Sequence, residues 1–229
     1  MDTALPGTAQ SLKDAQEKAM ALFEAAVSGG LIVAGKLESE LSEDIHELAR
    51  REFGLRRHWH KRIARAGPNT LLTYHDHAED RRIADDDIVY LDFGPVFEEW
   101  EADFGRTYVL GADPEKHRLV DDIGSAFAQG KELFERTPQL SCGELYDFVH
   151  DLAPLMGWEF GGPTAGHLIG HFPHEQPPAD PQRFKIRHGN GTMLREPDAA
   201  GAMRHWILEI HFIDRARGIG GFFEELLTV

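Results

Sequence analysis

The chain has 229 residues, with 39 Asp and Glu against 24 Lys and Arg and a formal net charge of −15. This excess of negative charge argues against nucleic acid or an anionic membrane as a partner. No apolar run approaches the ~18 residues of a membrane span, no secretory signal is visible, and the lone Cys142 excludes an intrachain disulfide. We therefore expect one globular domain over residues 1–229, located in the cytoplasm, in which residues 1–10 are disordered or form an arm.

Hydrophobic periodicity and turn residues divide the chain into two rounds of helices followed by a hairpin. The first round is predicted to contain helices over residues 12–27 and 41–53, a short strand over 69–74 and a hairpin over 88–109. The second is predicted to contain helices over 114–134 and 142–156, a glycine-rich segment over 157–170, a surface excursion over 176–201 and a hairpin over 206–229. The repeated order hints at internal pseudo-symmetry.

Each predicted hairpin carries two acidic residues that its turn would bring face to face. Asp92 lies opposite Asp103 if the first hairpin turns at residues 97–98, and Glu209 lies opposite Glu224 if the second turns at 216–217. Opposed side chains lie about 4.5–5.5 Å apart at Cβ, where like charges repel. Apolar residues flank these positions on both faces, and an unpaired buried carboxylate is costly. The two pairs therefore predict a site for two divalent ions, which lie about 3.5–4 Å apart in such centres.

Three histidines are candidates to complete this site. His167 and His174 follow the glycine-rich segment, and His75 lies upstream of Asp92. Neutral imidazole is a common metal ligand, and histidine is also the side chain that most often moves protons in catalysis. The sequence thus supplies both the nitrogen ligand and the proton-transfer groups that a two-ion hydrolytic site needs.

The order of these residues resembles the constellation of the pita-bread metallopeptidases, which include the methionine aminopeptidases, aminopeptidase P, prolidase and creatinase. Five pieces look most like the aminopeptidase P and prolidase branch: Gly67-Pro-Asn69, His75, Asp92-Phe-Gly94, Asp103 followed by Gly105-Arg-Thr107, and Gly166-His167. The resemblance covers about residues 10–229. It implies an α+β pita-bread fold, in which helices lie on the outer face of a pseudo-symmetric antiparallel sheet.

The resemblance also implies a role for each residue. Asp92 would bind one ion, Asp103 and Glu224 would bridge both, and His167 would complete the nitrogen-bearing site. Glu209 would be the fifth ligand and would receive the proton of a bridging water, which becomes the hydroxide nucleophile between two ions of Mn, Co or Zn. His75 and His174 would hydrogen-bond the scissile carbonyl, the leaving nitrogen and the oxyanion. The implied reaction is hydrolysis of an N-terminal or dipeptide amide bond in a peptide or dipeptide substrate, with Xaa-Pro bonds included.

Several departures from that branch bear on specificity. We expect no N-terminal accessory domain like the one that aminopeptidase P, prolidase and creatinase carry, so a second subunit of a homodimer is a candidate source of pocket walls. Pro163 stands where proline-selective members often have another histidine. Phe222 replaces an arginine two residues before Glu224, and Ile210 replaces the proline after Glu209. A preference for Xaa-Pro bonds is therefore open.

Two other functions remain open on the sequence. One is a metal-independent hydrolase on the creatinase model, which works through histidine chemistry on a small nitrogenous substrate. The other is a non-catalytic pita-bread module that binds other proteins. Both alternatives would tolerate loss of the acidic residues, yet all five residues of the implied ligand set are present.

Local pattern decides the interpretation of four further residues. His58 and His60 lie among arginines and lysines and are assigned to a basic, partly solvated segment. Glu196 lies among loop-forming residues, so Glu209 is preferred to it as the fifth ligand. His211 points to the same strand face as Glu209. It is interpreted either as a hydrogen-bond partner of a ligand carboxylate or substrate, or as a core histidine bonded to backbone.

Overall fold

The computed structural model describes residues 8–174 and 179–228. In chain order its elements are α1 (Thr8–Ser28), α2 (Glu38–Phe53), β1 (Ile63–Ala66), a 3₁₀ helix (Gly67–Leu71), β2 (Ile88–Phe93), β3 (Val96–Phe97), β4 (Trp100–Glu101), β5 (Phe104–Val109), α3 (Pro114–Arg136), α4 (Cys142–Leu155), β6 (Glu159–Phe160), β7 (Leu168–Ile169), β8 (His205–Asp214) and β9 (Ile219–Leu226). Within those described ranges, no helix is long and apolar enough to cross a bilayer.

Two similar halves build the main sheet. Its strand order is β1-β2-β5-β9-β8-β6, with β7 paired to β8, and neighbouring strands run antiparallel. The first half contributes β1, β2 and β5 after helices α1 and α2, and the second contributes β6, β8 and β9 after α3 and α4. The halves meet where β5 pairs with β9. The expected antiparallel sheet and the repeated order of helices and hairpin are therefore confirmed.

Most of the helical packing lies on one face of the sheet, and the acidic residues lie on the other face, where Leu12 of α1 packs against Ile207 and Leu226. Leu208 and Ile210 of β8 pack with residues of α3 and α4 in one core cluster, and Leu91 of β2 packs with residues of α1 and α2 in another. Successive side chains along a strand point to opposite faces. Asp92 and Glu209, each next in sequence to one of these residues, therefore lie on the opposite face from these two clusters.

The second hairpin has the predicted register. β8 and β9 pair Glu209 directly with Glu224, and the last pair before the turn is Asp214 with Ile219. Nearly every residue of β8 is buried, as the apolar pattern on both of its faces predicts. The buried carboxylate of Glu224 and the half-buried carboxylate of Glu209 are therefore carried on adjacent positions of neighbouring strands in the centre of the sheet.

The first hairpin is shifted by two residues from the prediction. β2 and β5 pair Asp92 with Gly105 rather than with Asp103, and the inserted β3–β4 hairpin turns at Glu98 and Glu99, both of which have positive φ. Asp103 instead lies directly before β5, diagonal to Asp92. The turn is one residue later than predicted, which moves the register by two.

Gly105 accounts for this register. It lies opposite Asp92 on one side and opposite Glu224 on the other. A Cβ atom at this position would lie 2.6 Å from the ring of Phe222 and 3.0 Å from Cβ of Glu224. A residue without a side chain is therefore required between the two acidic residues, and this leaves room for both carboxylates.

The prediction of a strand over residues 69–74 is wrong. The edge strand of this half of the sheet is β1, which lies directly upstream. Gly67 and Pro68 begin a 3₁₀ helix instead. Gly67 has a φ of +50°, and Pro68 lacks the N–H that a strand ladder would use. β1 pairs with β2 so that Ile63 lies opposite Asp92. This register carries the residues before β1 towards the acidic end of β2.

Two segment predictions also need correction. The arm predicted over residues 1–10 does not extend to residues 8–10, which form the first turn of α1, a helix anchored by the buried Leu12. Residues 1–7 lie outside the described residues. The predicted surface excursion over 176–201 is exposed over much of its described length, but it contributes Phe184, Ile186 and Leu194 to the core. Residues 175–178 lie outside the described residues.

Candidate metal centre

Four carboxylates and two histidines converge at the face of the sheet opposite most of the helical packing. The fold places these groups at β2 (Asp92), directly before β5 (Asp103), at β8 (Glu209), at β9 (Glu224), directly before β7 (His167) and between α2 and β1 (His60). Each comes from a different strand or connection. The cluster therefore exists only when both halves of the sheet are assembled.

Asp103 lies between the two histidines. Its Oδ1 is 3.0 Å from Nε2 of His60, and its Oδ2 is 3.1 Å from Nε2 of His167. Oδ1 of Asp92 lies 3.6 Å from the same nitrogen of His60. Only 3% of the Asp103 side chain and 7% of the His60 side chain are exposed. A buried carboxylate thus presents one oxygen to each imidazole.

Two overlapping groups of ligand atoms share this carboxylate. One consists of His60, Asp92 and Asp103, and the other of Asp103, His167 and Glu224; within each group the ligand atoms lie within 4.8 Å of one another. Oε2 of Glu224 is buried and has no hydrogen-bond partner among the described residues. An oxygen of this kind is costly unless a cation or a proton satisfies it.

Glu209 stands at the edge of the cluster. It lies opposite Glu224 in the β8–β9 ladder, and its Oε1 accepts a hydrogen bond of 2.9 Å from the hydroxyl of Thr164. It belongs to neither three-residue group. Its charge nevertheless acts on Asp92, Glu224 and His167, whose pKa values it raises.

The electrostatics of the cluster show an excess of negative charge. Burial, with the nearby carboxylates of Asp103 and Glu209, raises the pKa of Asp92 to about 7 against the opposing effect of His60. Burial and the nearby carboxylates of Asp103, Asp92 and Glu209 raise the pKa of Glu224 well above its ordinary value. Burial also acts to raise the pKa of Asp103, but the histidines facing it outweigh burial and lower it. In turn, burial acts to lower the pKa of His60, and Asp103 with Asp92 raises it to about 9.

This donor set fits two divalent cations. Four ionised carboxylates carry the charge that two such ions would neutralise, and carboxylate oxygen with imidazole nitrogen suits Zn and other first-row metals. Without cations, the raised pKa values of Asp92 and Glu224 mean that protons take their place in part. The unpartnered oxygen of Glu224 is a second sign that the site is built around positive charge.

A third histidine, His174, lies beside the cluster. Its Nδ1 is 2.7 Å from Oε2 of Glu101, and its backbone N–H donates to Oε1 of the same carboxylate at 3.1 Å. Glu101 is 1% exposed. The ring of His174 stacks on that of His167 with centroids 6.3 Å apart, and the edge of Trp59 contacts both rings. A cavity of about 350 Å³ opens here, lined by Trp59, Glu101, Phe172, Pro173 and His174.

Two of the residues singled out from the sequence lie away from the cluster. His75 is exposed, and its ring packs against the ring of Tyr74 at 5.2 Å between centroids. The structure does not bring it to the carboxylates. Glu196 forms an ion pair of 3.1 Å with Arg183, and 42% of its side chain is exposed. Of the two glutamates weighed as fifth ligand, only Glu209 lies beside Glu224.

His211 is a buried histidine bonded to the backbone. Its Nε2 is 2.9 Å from the carbonyl oxygen of Thr70, and burial lowers its pKa to about 4. The ring is therefore neutral at physiological pH and donates its Nε2–H to that carbonyl. The structure therefore agrees with the interpretation of His211 as a core histidine bonded to the backbone.

The assignment of His58 and His60 to a basic, partly solvated segment is wrong for their side chains, which are turned inward. His60 is buried against Asp103, and His58 packs 3.3 Å from the ring of His46, where burial lowers its pKa to about 3. The signal that could have located His60 is the strand β1. Because β1 runs antiparallel to β2, the residues before Ile63 pass the end of β2 that carries Asp92.

Comparison with known families decides the class of protein. The family model described as metallopeptidase family M24 matches residues 10–217. The chain belongs to metallopeptidase family M24. The family that the resemblance of its motifs implied is thus confirmed.

Curated and solved proteins agree with this placement. The Xaa-Pro dipeptidase of Pyrococcus horikoshii is 27% identical over 183 residues, which cover 79% of this chain and 49% of that protein. The chain therefore spans about half the length of the curated relatives it matches. Among solved structures, the prolidase from Pyrococcus furiosus superposes with a TM-score of 0.76 at 22% identity, and the match covers 97% of this chain and 60% of the prolidase. The X-Pro aminopeptidase from Thermotoga maritima superposes with a TM-score of 0.79 at 22% identity, and the match covers 99% of this chain and 62% of the aminopeptidase. At these identities the structural likeness establishes the pita-bread fold.

Proposed function

We propose that this M24 chain is an exopeptidase that hydrolyses the amide bond of a dipeptide or the first peptide bond of a short peptide. Two divalent ions would be held by Asp92, Asp103, His167, Glu209 and Glu224. The observation that carries the proposal is the buried Asp103 carboxylate, which faces one histidine with each oxygen beside the unpartnered Oε2 of Glu224. The names of the curated relatives, both Xaa-Pro dipeptidases, support a peptide amide as the substrate class.

When bound, the two ions would supply Lewis acidity, which makes water a nucleophile near neutral pH and polarises a carbonyl. Glu209 is the residue best placed to take up the proton of that water. The hydroxyl of Thr164 holds its Oε1 at 2.9 Å, which fixes the carboxylate and leaves Oε2 as the atom to be protonated. Its pairing with Glu224 in the β8–β9 ladder supports this assignment.

His174 is proposed to position the scissile carbonyl or the oxyanion. The buried carboxylate of Glu101 holds its Nδ1 at 2.7 Å and its backbone N–H at 3.1 Å. Nε2 is therefore the atom that remains for substrate, and its orientation is fixed before substrate binds. The ring of Trp59 packs against the rings of both His167 and His174. His75, which is exposed, is not assigned a role in this proposal.

The pocket is proposed to be less committed to Xaa-Pro bonds than that of a prolidase. Pro163 cannot supply the imidazole that proline-selective members often carry at this position. The cavity beside His174 is lined by Trp59, Phe172 and Pro173, which offer apolar contact without a hydrogen bond that would select an imide. Apolar contacts discriminate between related substrates by only about 10–200-fold.

A panel of dipeptides tests the function and the specificity together. Protein freed of metal by chelation would be assayed alone and after addition of Mn, Co or Zn, with Xaa-Pro and non-proline dipeptides as substrates. We expect activity only with metal, on both kinds of substrate. Protein that binds two ions and hydrolyses no peptide would overturn the function and favour a binding module. Exclusive cleavage of Xaa-Pro would overturn the specificity. The identity of the ion, a cytoplasmic location and a homodimer stay predictions from the sequence.

A further inference from the structure

We propose that His60 is a sixth metal ligand, which provides an imidazole nitrogen to the ion on the Asp92 side of Asp103. The inference rests on the proposed two-ion site. It extends the ligand set implied by the family resemblance, in which the nitrogen ligand is His167. Each of the two ions would then have one histidine, and the two halves of the fold would contribute equivalent donors.

The distances suit ligands of one ion. Two ligand atoms that are each about 2.1 Å from an ion lie about 3.0 Å apart at a right angle and about 3.4 Å apart at the tetrahedral angle. Nε2 of His60 lies 3.0 Å from Oδ1 of Asp103 and 3.6 Å from Oδ1 of Asp92. The second separation is too long for a hydrogen bond. The nitrogen thus faces two carboxylate oxygens at once, at separations close to those of atoms that share a cation.

His60 repeats the arrangement of His167. Nδ1 of His60 lies 2.7 Å from the carbonyl oxygen of Lys61, and Nδ1 of His167 lies 2.8 Å from that of Leu168. A histidine that binds metal almost always donates its other ring N–H to a carbonyl, carboxylate or water, which fixes its tautomer. In the neutral form, each ring would donate its Nδ1–H to that carbonyl and leave Nε2 as the atom that can bind an ion. One points to Oδ1 and the other to Oδ2 of Asp103.

The surroundings of His60 are shaped to admit its ring. A Cβ atom on Gly94 would lie 2.1 Å from Cδ2 and 2.3 Å from Nε2 of His60, so this position has room for the imidazole because it lacks a side chain. Trp59 packs edge-on against the ring at 4.5 Å between centroids and is itself anchored by its Nε1–H, which donates to the carbonyl oxygen of Ala102 at 3.0 Å. The nitrogen is thus held in place before any ion binds.

Metal titration of His60 variants tests this assignment. Metal-free wild-type protein, His60→Ala and His60→Gln would be titrated with Co(II), with calorimetry for affinity and stoichiometry and with the visible absorption of Co(II) for ligand type. His188→Ala is the matched control, because His188 is a surface histidine, 81% exposed at its side chain, that bonds to Asp147. Thermal unfolding of each metal-free variant establishes that it is folded.

We expect wild type and His188→Ala to bind two ions per chain. Both His60 variants should bind one ion with unchanged affinity and the other at least ~10-fold more weakly. Pulsed electron paramagnetic resonance of the Mn(II) form should detect imidazole nitrogen at both ions in wild type and at one ion in the variants. Two ions in wild type, with affinity and nitrogen coupling unchanged in both His60 variants, would overturn the assignment and leave the proposed function standing. Wild-type protein that binds no ion would overturn both.

Discussion

Replacement of Glu224 by glutamine should change the stability of the protein in opposite directions with and without metal. In the metal-free protein, burial and the carboxylates of Asp103, Asp92 and Glu209 raise the pKa of Glu224. A carboxyl whose pKa is raised on folding destabilises the native state increasingly as pH rises above its unfolded value. Glutamine removes that penalty. Metal-free Glu224→Gln should therefore be at least as stable as wild type at pH 8.

The metal-bound protein should show the reverse. An ion present at 100 times its dissociation constant stabilises the native state by about 2.7 kcal/mol. In a domain of this size, each kcal/mol of added stability raises the melting temperature by about 2–4 °C. Each bound ion should therefore raise the melting temperature by about 5–11 °C. Glu224 is proposed to bridge both ions, and glutamine cannot supply an anionic oxygen to either. Glu224→Gln should lose at least one of these increments.

Differential scanning calorimetry with chelator and with saturating Mn, Co or Zn measures both effects. Glu225→Gln is the matched control, because Glu225 is the next residue along β9 and forms an ion pair with Arg106 outside the cluster. This variant should lose some stability in both conditions yet keep the full metal-induced rise. A Glu224→Gln protein with the wild-type rise would refute the reasoning.

Three further predictions follow from the same contacts. Glu209→Ala should abolish peptide hydrolysis and weaken metal binding, whereas Glu196→Ala, a change at a surface ion pair, should leave both nearly intact; kinetics and metal analysis decide between the two. His174→Ala should lower turnover by about 10²–10³-fold at full metal content, and Glu101→Gln should cause a smaller loss, whereas loss of an ion from His174→Ala would make that residue a ligand. Burial lowers the pKa of His211 to about 4, so the unfolded chain binds its proton first as pH falls below about 6.5. Protonation of this residue should lower the free energy of unfolding of the wild type by about 3 kcal/mol at pH 4. In urea unfolding between pH 7 and 4, the free energy of unfolding of His211→Gln should fall less steeply with pH. Equal slopes for the two proteins would contradict the assignment.

The second hairpin was predictable because its register follows from a local turn. Once β8 and β9 are joined by a short connection, a single centre fixes every pair, and Glu209 falls opposite Glu224. The helices were predictable for a similar reason, since their apolar spacing reflects contact with one sheet face. The fold followed from the order of short motifs, whose resemblance to a known family extends over nearly the whole chain.

The first hairpin and His60 depend on contacts that local pattern does not carry. The β3–β4 insertion turns at Glu98 and Glu99, two residues without the usual Gly or Asn preference for positive φ. The position of His60 depends on the pairing of β1 with β2, and the arginines and lysines around His60 indicated a solvated segment instead. Sequence spacing does not reveal that Gly94 leaves room for this ring. His75 shows the converse, since it occupies a motif position and yet is exposed.

Anomalous diffraction from crystals grown with Mn(II) tests the central claim most directly, because it locates each ion independently of activity. We expect two anomalous peaks per chain, one on each side of the Asp103 carboxylate, with the first next to Asp92 and His60 and the second next to His167 and Glu224. Well-ordered crystals at saturating Mn(II) with no peak at Asp103, or with the ions bound elsewhere on the chain, would contradict it.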